Sequence, residues 1–408
     1  MQDIHLKAPY RFIPPHEGTF WVRLFYAVLP RYLRRVWGVS HVECLGVEHL
    51  RASLAARQGV LLAPNHCRPC DPMLLGMLGR EASCYFYIMA SAHLFYQGKF
   101  QRWLLPRGGA FSVYREGLDK AALEKAIDVL AEARRPLILF PEGVISRSND
   151  RLNGLMEGLS TIVRAAQKRQ SSAGRSQGVA VHPVAIRYFF HGELGKDAAQ
   201  TLREIEARLT WLSSHDLSLT ERCRKIGRAL LSLKEIEYFD EPQNGTLAER
   251  LERLIDKVLT PIEEEWAKPS QKESQKGTIV SRVKKLRSQL LPDLIKGDIS
   301  EEEKQRRWRQ LTQLYYAQQI SFYPADYLVE NAPQEHILET IERFEEDLTD
   351  VARIYQPLSA VIQVGAAMPV EQERERQKGG SPLVSAIENE LVRMIEELKS
   401  KRPAVENK

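Results

Sequence analysis

The chain has 408 residues, enough to bury a sizeable core either as one large domain with an insertion or as two domains. Hydrophobic residues at 43% and charged residues at 27% describe an ordinary globular protein, and no run of about 18 apolar residues occurs, so no transmembrane helix is predicted. The net charge of +5 is spread over much acid and base, too weak a surplus to imply nucleic acid as a partner.

The most apolar early stretch, Thr19 to Trp37, is broken by Arg23, Pro30, Arg31, Arg34 and Arg35. Over residues 1–40 the bases Lys7, Arg11, Arg23, Arg31, Arg34 and Arg35 face only Asp3 and Glu17, and they alternate with Phe12, Phe20, Trp21, Leu24, Phe25, Tyr26, Tyr32 and Trp37. Aromatics and arginines in that mixture suit a helix lying in a membrane interface, rings at headgroup depth and cations near anionic lipid. The alternative is a helix packed on the protein's own core. Residues 1–44 are therefore read as a basic, aromatic, membrane-interface segment. Asp3 and Pro9 sit where a secretory signal would need a basic-to-apolar lead. An odd set of cysteines (Cys44, Cys67, Cys70, Cys84 and Cys223) points to reduced thiols. The expected location is cytoplasmic, peripheral on the inner face of a membrane.

Residues 45–194 alternate short apolar runs with helical periods. Strands are predicted at Gly59–Ala63, Cys84–Met89, Ala110–Tyr114, Pro136–Phe140 and Val179–Tyr188, with helices at Asp119–Arg134 and Leu152–Lys168. From 195 to 350 the pattern becomes long amphipathic helices: Ile205, Leu209 and Leu212 mark one stripe, Leu251, Leu254, Ile255 and Val258 another, and Ser300 with Glu303 offers a capping box. A weak internal similarity aligns Arg222–Tyr238 with Arg250–Trp266, pairing Glu235 with Glu263 and Glu237 with Glu265, as two helices of like design in an antiparallel arm. Strand character returns at Ser359–Gly365, and a closing helix, Pro382–Leu398, follows the Gly379-Gly380 break, so residues 351–400 rejoin the first domain and 401–408 form a tail. The fold class is thus α/β, a mostly parallel sheet flanked by helices, with a large inserted all-helical arm.

Four blocks carry chemistry. In Pro64-Asn-His-Cys-Arg-Pro-Cys-Asp-Pro72, His66 follows a strand and Asp71-Pro72 reads as a helix start with aspartate as cap. A tight turn between them can fold the carboxylate onto the imidazole, leaving the other ring nitrogen to take a proton from a hydroxyl attacking a carbonyl. Taken by itself, the pair reads first as a capping aspartate and a loop histidine. In Leu137–Arg147 a buried strand ends in Pro141-Glu142-Gly143; Gly143 lets backbone approach a ligand, Ser146 offers a hydroxyl, and Arg147 can chelate phosphate oxygens. A carboxylate repels phosphate, so Glu142 suits substrate hydroxyls or an arginine better. Gly108–Arg115 is a glycine-led strand ending in a second candidate phosphate ligand, Arg115, before a loop at Glu116-Gly117. Val181–Ile186 carries Pro183 inside a strand, which predicts an edge or bulge, here as a wall of an acyl pocket. Cys67 and Cys70 lack the second ligand pair of a structural zinc site and read as small residues filling the turn.

Together the blocks resemble the glycerolipid acyltransferase family that includes lysophosphatidate acyltransferases: Asn-His-x4-Asp, a Gly–Phe–Arg block, Phe-Pro-Glu-Gly-x2-Ser and Val-x-Pro-Val, in order, over about residues 45–190. The resemblance implies His66 as base and Asp71 as its partner, with Arg115, Glu142, Gly143 and Arg147 on a phosphate-bearing acceptor. It implies acyl-CoA or acyl carrier protein as donor, no metal or other cofactor, and no covalent acyl-enzyme. The expected reaction moves a fatty acyl group to a lysophospholipid hydroxyl, 1-acylglycerol 3-phosphate giving phosphatidate. Ser91 and His93 stand where many members have lysine and glutamate, which opens the acceptor's identity. Two rivals are a thioester hydrolase using the same dyad and a non-catalytic lipid-binding scaffold. The arm is absent from small members; it could dimerise the enzyme into a homo-oligomer, cover the site or recruit a partner, and the residues do not choose.

Overall fold

The computed structural model of the protein describes residues 10–115, 119–209, 214, 216–266, 278–297, 299–323, 326–370 and 381–404. The expectations for Asp3, Lys7, Glu116, Gly117, Leu212, Gly379 and Gly380 fall outside them. The chain divides into two units, Glu193–Arg353 and the residues on either side of it, Tyr10–Gly192 with Ile354–Lys408.

In the α/β unit the elements run α1 (Phe20–Trp37), β1 (Val39–Leu45), α2 (Val47–Ala55), β2 (Gly59–Pro64), α3 (Asp71–Glu81), β3 (Tyr87–Ser91), α4 (Ala92–Tyr96), α5 (Lys99–Arg107), β4 (Ala110–Val113), α6 (Lys120–Glu132), β5 (Leu137–Ile138), α7 (Gly158–Ser172) and β6 (Val179–Phe190). The helical unit follows with α8 (Leu194–Leu209), α9 (Leu219–Phe239), α10 (Leu247–Trp266), α11 (Ile279–Lys296), α12 (Glu301–Ile320) and α13 (Gln334–Thr349); the chain then returns through β7 (Leu358–Val364), β8 (Met368–Pro369) and α14 (Pro382–Leu398).

The strands form one sheet in the order β1-β7-β6-β2-β5-β3-β4, with β8 added on β6. Strands β6, β2, β5, β3 and β4 are mutually parallel; β7 is antiparallel to β6, and β1 is parallel to β7. Every residue of β2 and β6 is buried, as expected of parallel strands covered on both faces. Leu61, Leu137 and Val181 pack with Leu130, Val163 and Leu391 of the flanking helices into one apolar core.

Three details depart from the sequence reading. Residues 39–44, placed in the N-terminal segment, belong with Leu45 to strand β1 of the sheet, because Val39 to Leu45 pair along β7. Pro183 lies in an inner strand rather than at an edge. Its missing N–H is tolerated because β8 pairs with Ala180 and Val181 while β7 begins its pairing at Val184, so Pro183 sits between the two ladders. The helix predicted from Leu152 starts only at Gly158, since the residues before it belong to the loop around the site.

Helix α1 packs on α3 and on β1 and buries Val22, Leu29 and Leu33. The approach is close: a Cβ on Gly76 would lie 2.6 Å from Leu29, and one on Gly79 would lie 2.6 Å from the Tyr26 hydroxyl. That contact lets α1 hold α3, the helix whose first residue is Asp71. The opposite face of α1 leaves Phe20, Leu24, Val28, Tyr32 and Val36 exposed at every fourth residue.

The helical unit has its own core, in which Leu254, Val258, Leu290, Leu311 and Leu314 interlock. Ser218 closes a capping box with Glu221 on α9, and the Ser300 hydroxyl accepts the Glu303 N–H at the start of α12. The similarity between α9 and α10 has a physical counterpart. Glu235 of α9 takes Arg250 of α10 at 2.8 and 2.6 Å, and the matching Glu263 of α10 takes Arg282 of α11 at 2.9 Å through each of two nitrogens. Each helix is thus clasped to the next by the same forked ion pair.

Candidate active site

Because β6, β2, β5, β3 and β4 are parallel, their C-terminal ends share one edge of the sheet, where ligands sit in open α/β folds. The loops leaving β2, β5 and β4 carry His66, Glu142 with Gly143, and Arg115. Where β2 stops, side chains continue its ladder. The Asn65 amide donates to the Ile186 carbonyl at 3.0 Å and accepts from the Ile186 N–H at 2.7 Å. Asn149 does the same at Tyr188, at 2.5 and 2.7 Å. Two buried asparagines thereby pin the β2 and β5 loops to β6.

His66 and Asp71 meet. The carboxylate of Asp71 is fully buried, and its Oδ2 lies 2.8 Å from His66 Nδ1 and accepts the Arg68 N–H at 2.9 Å. Asp71 is the first residue of α3 rather than its cap, a place Cys70 takes; its carboxylate turns back along the turn and closes it. A carboxylate can only accept, so the imidazole proton resides on Nδ1 and Nε2 is left basic. The ring stacks on Phe140, centroids 4.0 Å apart, and keeps a 14% exposed side chain through which a substrate can reach it. The spacing anticipated this contact between the two side chains.

Glu142 has a different place from the one expected of a substrate ligand. It is fully buried, its Oε1 accepting the His66 N–H at 2.7 Å and its Oε2 the Asn153 N–H at 2.9 Å. The Ser146 N–H donates to the His66 carbonyl at 2.7 Å, so the β5 loop holds both backbone groups of His66. Burial pushes the Glu142 carboxyl up to about 8, against the pull of its two N–H donors. Glu142→Ala leaves both donors without this acceptor. At about 1–3 kcal/mol for each unpaired buried group, it is expected to lower stability by about 2–6 kcal/mol, read as a fall in the urea midpoint. The sign of the pH effect follows from linkage. Between its ordinary 4.5 and about 8 this carboxyl holds more proton folded than unfolded, so its contribution is complete below that window and declines as pH rises through it. Glu142→Gln is expected to flatten that slope in melts across the same range.

Gly143 has a left-handed φ of 71°, and its carbonyl accepts from the Arg115 guanidinium at 2.5 Å, bringing the β4 and β5 blocks together. Arg147, also left-handed at φ 57°, is partly buried in the same loop. At the end of β3, Ser91 Oγ lies 2.8 Å from His93 Nδ1. Cys67 and Cys70 are buried, and burial pushes the Cys70 thiol up to about 12, which keeps it protonated.

Sequence reasoning missed Tyr188 and Asn149. The Tyr188 hydroxyl donates to Asp71 Oδ1 at 2.6 Å, from a strand 117 residues further along the chain. An aromatic residue in a buried strand reads as core, and only the parallel β2–β6 register brings this one to the turn.

Among curated proteins none matches the chain significantly. The family model described as Acyltransferase matches residues 41–187, from β1 through most of β6, a span that includes His66, Asp71, Arg115, Glu142, Gly143 and Arg147. Residues 41–187 are therefore similar to the acyltransferase family, and the candidate site residues lie within that match.

Proposed function

We propose that the protein moves a fatty acyl group from the thioester of acyl-CoA or acyl carrier protein to the hydroxyl of a lysophospholipid, 1-acylglycerol 3-phosphate giving phosphatidate. The 2.8 Å contact between His66 Nδ1 and the buried Asp71 carboxylate carries this reading. His66 Nε2 removes the hydroxyl proton as the oxygen attacks the thioester carbon. The C–O bond forms, the C–S bond breaks, and the proton passes to the leaving thiolate, so acid and base balance without a cofactor. Arg115 and Arg147 flank the loop beside the base and suit the anionic headgroup. Glu142 contributes from behind, by holding the His66 backbone.

The reading places the protein at the cytoplasmic surface of a membrane, where its acceptor resides. Two features support that. The exposed stripe of α1 continues through Trp21 to Trp103 of α5, their ring centroids 5.1 Å apart, and on to the exposed Phe100. Arg23, Arg31, Arg34 and Arg35 border it, and Arg107 stacks on Trp103 at 4.5 Å. Apolar rings bordered by cations match an anionic interface. Among the described residues no helix is long and apolar enough to cross a membrane. Phe20→Asp combined with Phe100→Asp is expected to weaken sedimentation with phosphatidylglycerol vesicles by about tenfold or more, without altering the thermal melt.

The acceptor is tested by incubating the pure protein with radiolabelled acyl-CoA or acyl carrier protein and a panel of lysolipids. Label in phosphatidate alone supports the reading. Label in another diacyl lipid moves the acceptor assignment. Free fatty acid without any acceptor identifies a hydrolase, and vesicle binding without turnover a scaffold.

A further inference from the structure

We propose that Tyr188 is a positioning residue for the acid–base pair, holding Asp71 by its second oxygen so that the carboxylate meets the His66 imidazole in one orientation. The inference rests on the reading of His66 and Asp71 as the base and its partner.

Asp71 Oδ2 is taken by His66 Nδ1 and the Arg68 N–H. That leaves Oδ1, which would be a buried charged atom short of a donor, and buried carboxylates are kept only where such atoms are paired. Tyr188 supplies the donor at 2.6 Å, with the Cys67 Sγ a distant second at 3.9 Å. The phenol is itself held at both ends of its strand position. The Asn149 amide pairs with the Tyr188 backbone, and the Cys70 Sγ lies 3.2 Å from its hydroxyl. Since the phenol proton goes to the carboxylate, the Cys70 S–H is the donor to the phenol oxygen. The result is a chain that converges on Asp71, Cys70 S–H to Tyr188 O–H to the carboxylate on one side and His66 N–H to the carboxylate on the other, whose members polarise one another. Burial drives both the Cys70 thiol and the Tyr188 phenol upward, so both keep their protons. The groups facing this chain are Arg68, whose guanidinium lies 5.4 Å from the Tyr188 ring centroid, Cys67 on the same turn, and Glu142, which feels the charge of Asp71 from the β5 loop.

Tyr188→Phe keeps the ring and removes the one donor. A hydrogen bond to a buried charge is worth about ten- to hundredfold in rate if it is needed for orientation. The variant is expected to lose about that much in kcat with KM for the lysolipid little changed, because Tyr188 is 1% exposed and does not reach the acceptor. Its undispersed Asp71 charge also favours the imidazolium, so the acid limb of the kcat/KM profile is expected to move to higher pH. A residue that merely packed the core would lower the melting temperature and leave that limb in place. Wild type, Tyr188→Phe, Cys70→Ala and Asp71→Asn are compared in one pH series. A wild-type profile and kcat within twofold for Tyr188→Phe, beside an inactive Asp71→Asn, overturns the role of Tyr188 alone. An active Asp71→Asn overturns the underlying dyad. If Tyr188→Phe melts far below wild type, Cys70→Ala supplies the second test: a smaller shift of the limb in the same direction supports the chain, and a profile identical to wild type counts against it.

Discussion

His66→Ala is expected to lower acyl transfer by about 10²- to 10⁴-fold, the range spanned by the loss of a positioned general base. The attacking hydroxyl then has no group to receive its proton as the C–O bond forms, and water serves poorly in a site lined by Phe140 and the buried β5 loop. The substitution is not expected to unfold the domain. Asp71 retains the Arg68 N–H and the Tyr188 hydroxyl, and the His66 backbone keeps its bonds from Ser146 and to Glu142. The check is kcat beside a thermal melt: a large fall in the first with little change in the second.

Asp71→Asn is expected to cost about as much, up to about 10⁴-fold, for a different reason. A carboxamide has one accepting oxygen and one donating nitrogen, whereas the aspartate accepts from four directions: His66 Nδ1, the Arg68 N–H, the Tyr188 hydroxyl and the Cys67 thiol. If the amide nitrogen faces His66, Nδ1 becomes the acceptor, the ring proton moves to Nε2, and the nitrogen that should take the substrate proton already holds one. If it faces Tyr188 instead, two donors oppose each other in a buried site. Nitrogen NMR of the imidazole distinguishes the outcomes: Nδ1–H in the wild type, Nε2–H in the inactive variant. Asp71→Asn with wild-type turnover and an unchanged tautomer would remove the basis for treating the two residues as a unit.

Much of this arrangement was legible in the sequence because it is local. Four residues separate His66 from Asp71, and a strand end followed by a helix start leaves few ways to connect them; the structure closes that gap to 2.8 Å. The parallel character of the sheet followed from short apolar runs alternating with helical periods, and the inserted helices from the change to long amphipathic stripes. What was not legible is set by register. Tyr188 and Asn149 matter because β6 runs on past the last β2 pair, Pro64 with Val184, and needs partners there. No local pattern announces that. The same holds for Glu142: its position after a buried strand suggested a ligand group, and only the fold turns the carboxylate inward onto the His66 N–H. The mixed character of α1 has a similar cause. Its alternation of rings and arginines fitted either a membrane or a core, and the helix divides these between its faces, Leu29 and Leu33 inward and Phe20, Leu24 and Val28 outward.

The most direct test is a quenched single-turnover experiment with thioester-labelled acyl donor, lysophosphatidate and either wild type or His66→Ala at matched folded concentration. The wild type is expected to put the label into phosphatidate only when the lysolipid is present, and the variant to leave the thioester intact on that timescale. Equal label transfer by the two proteins would contradict the assignment of the proton-accepting nitrogen, and with it the chemistry drawn from this site.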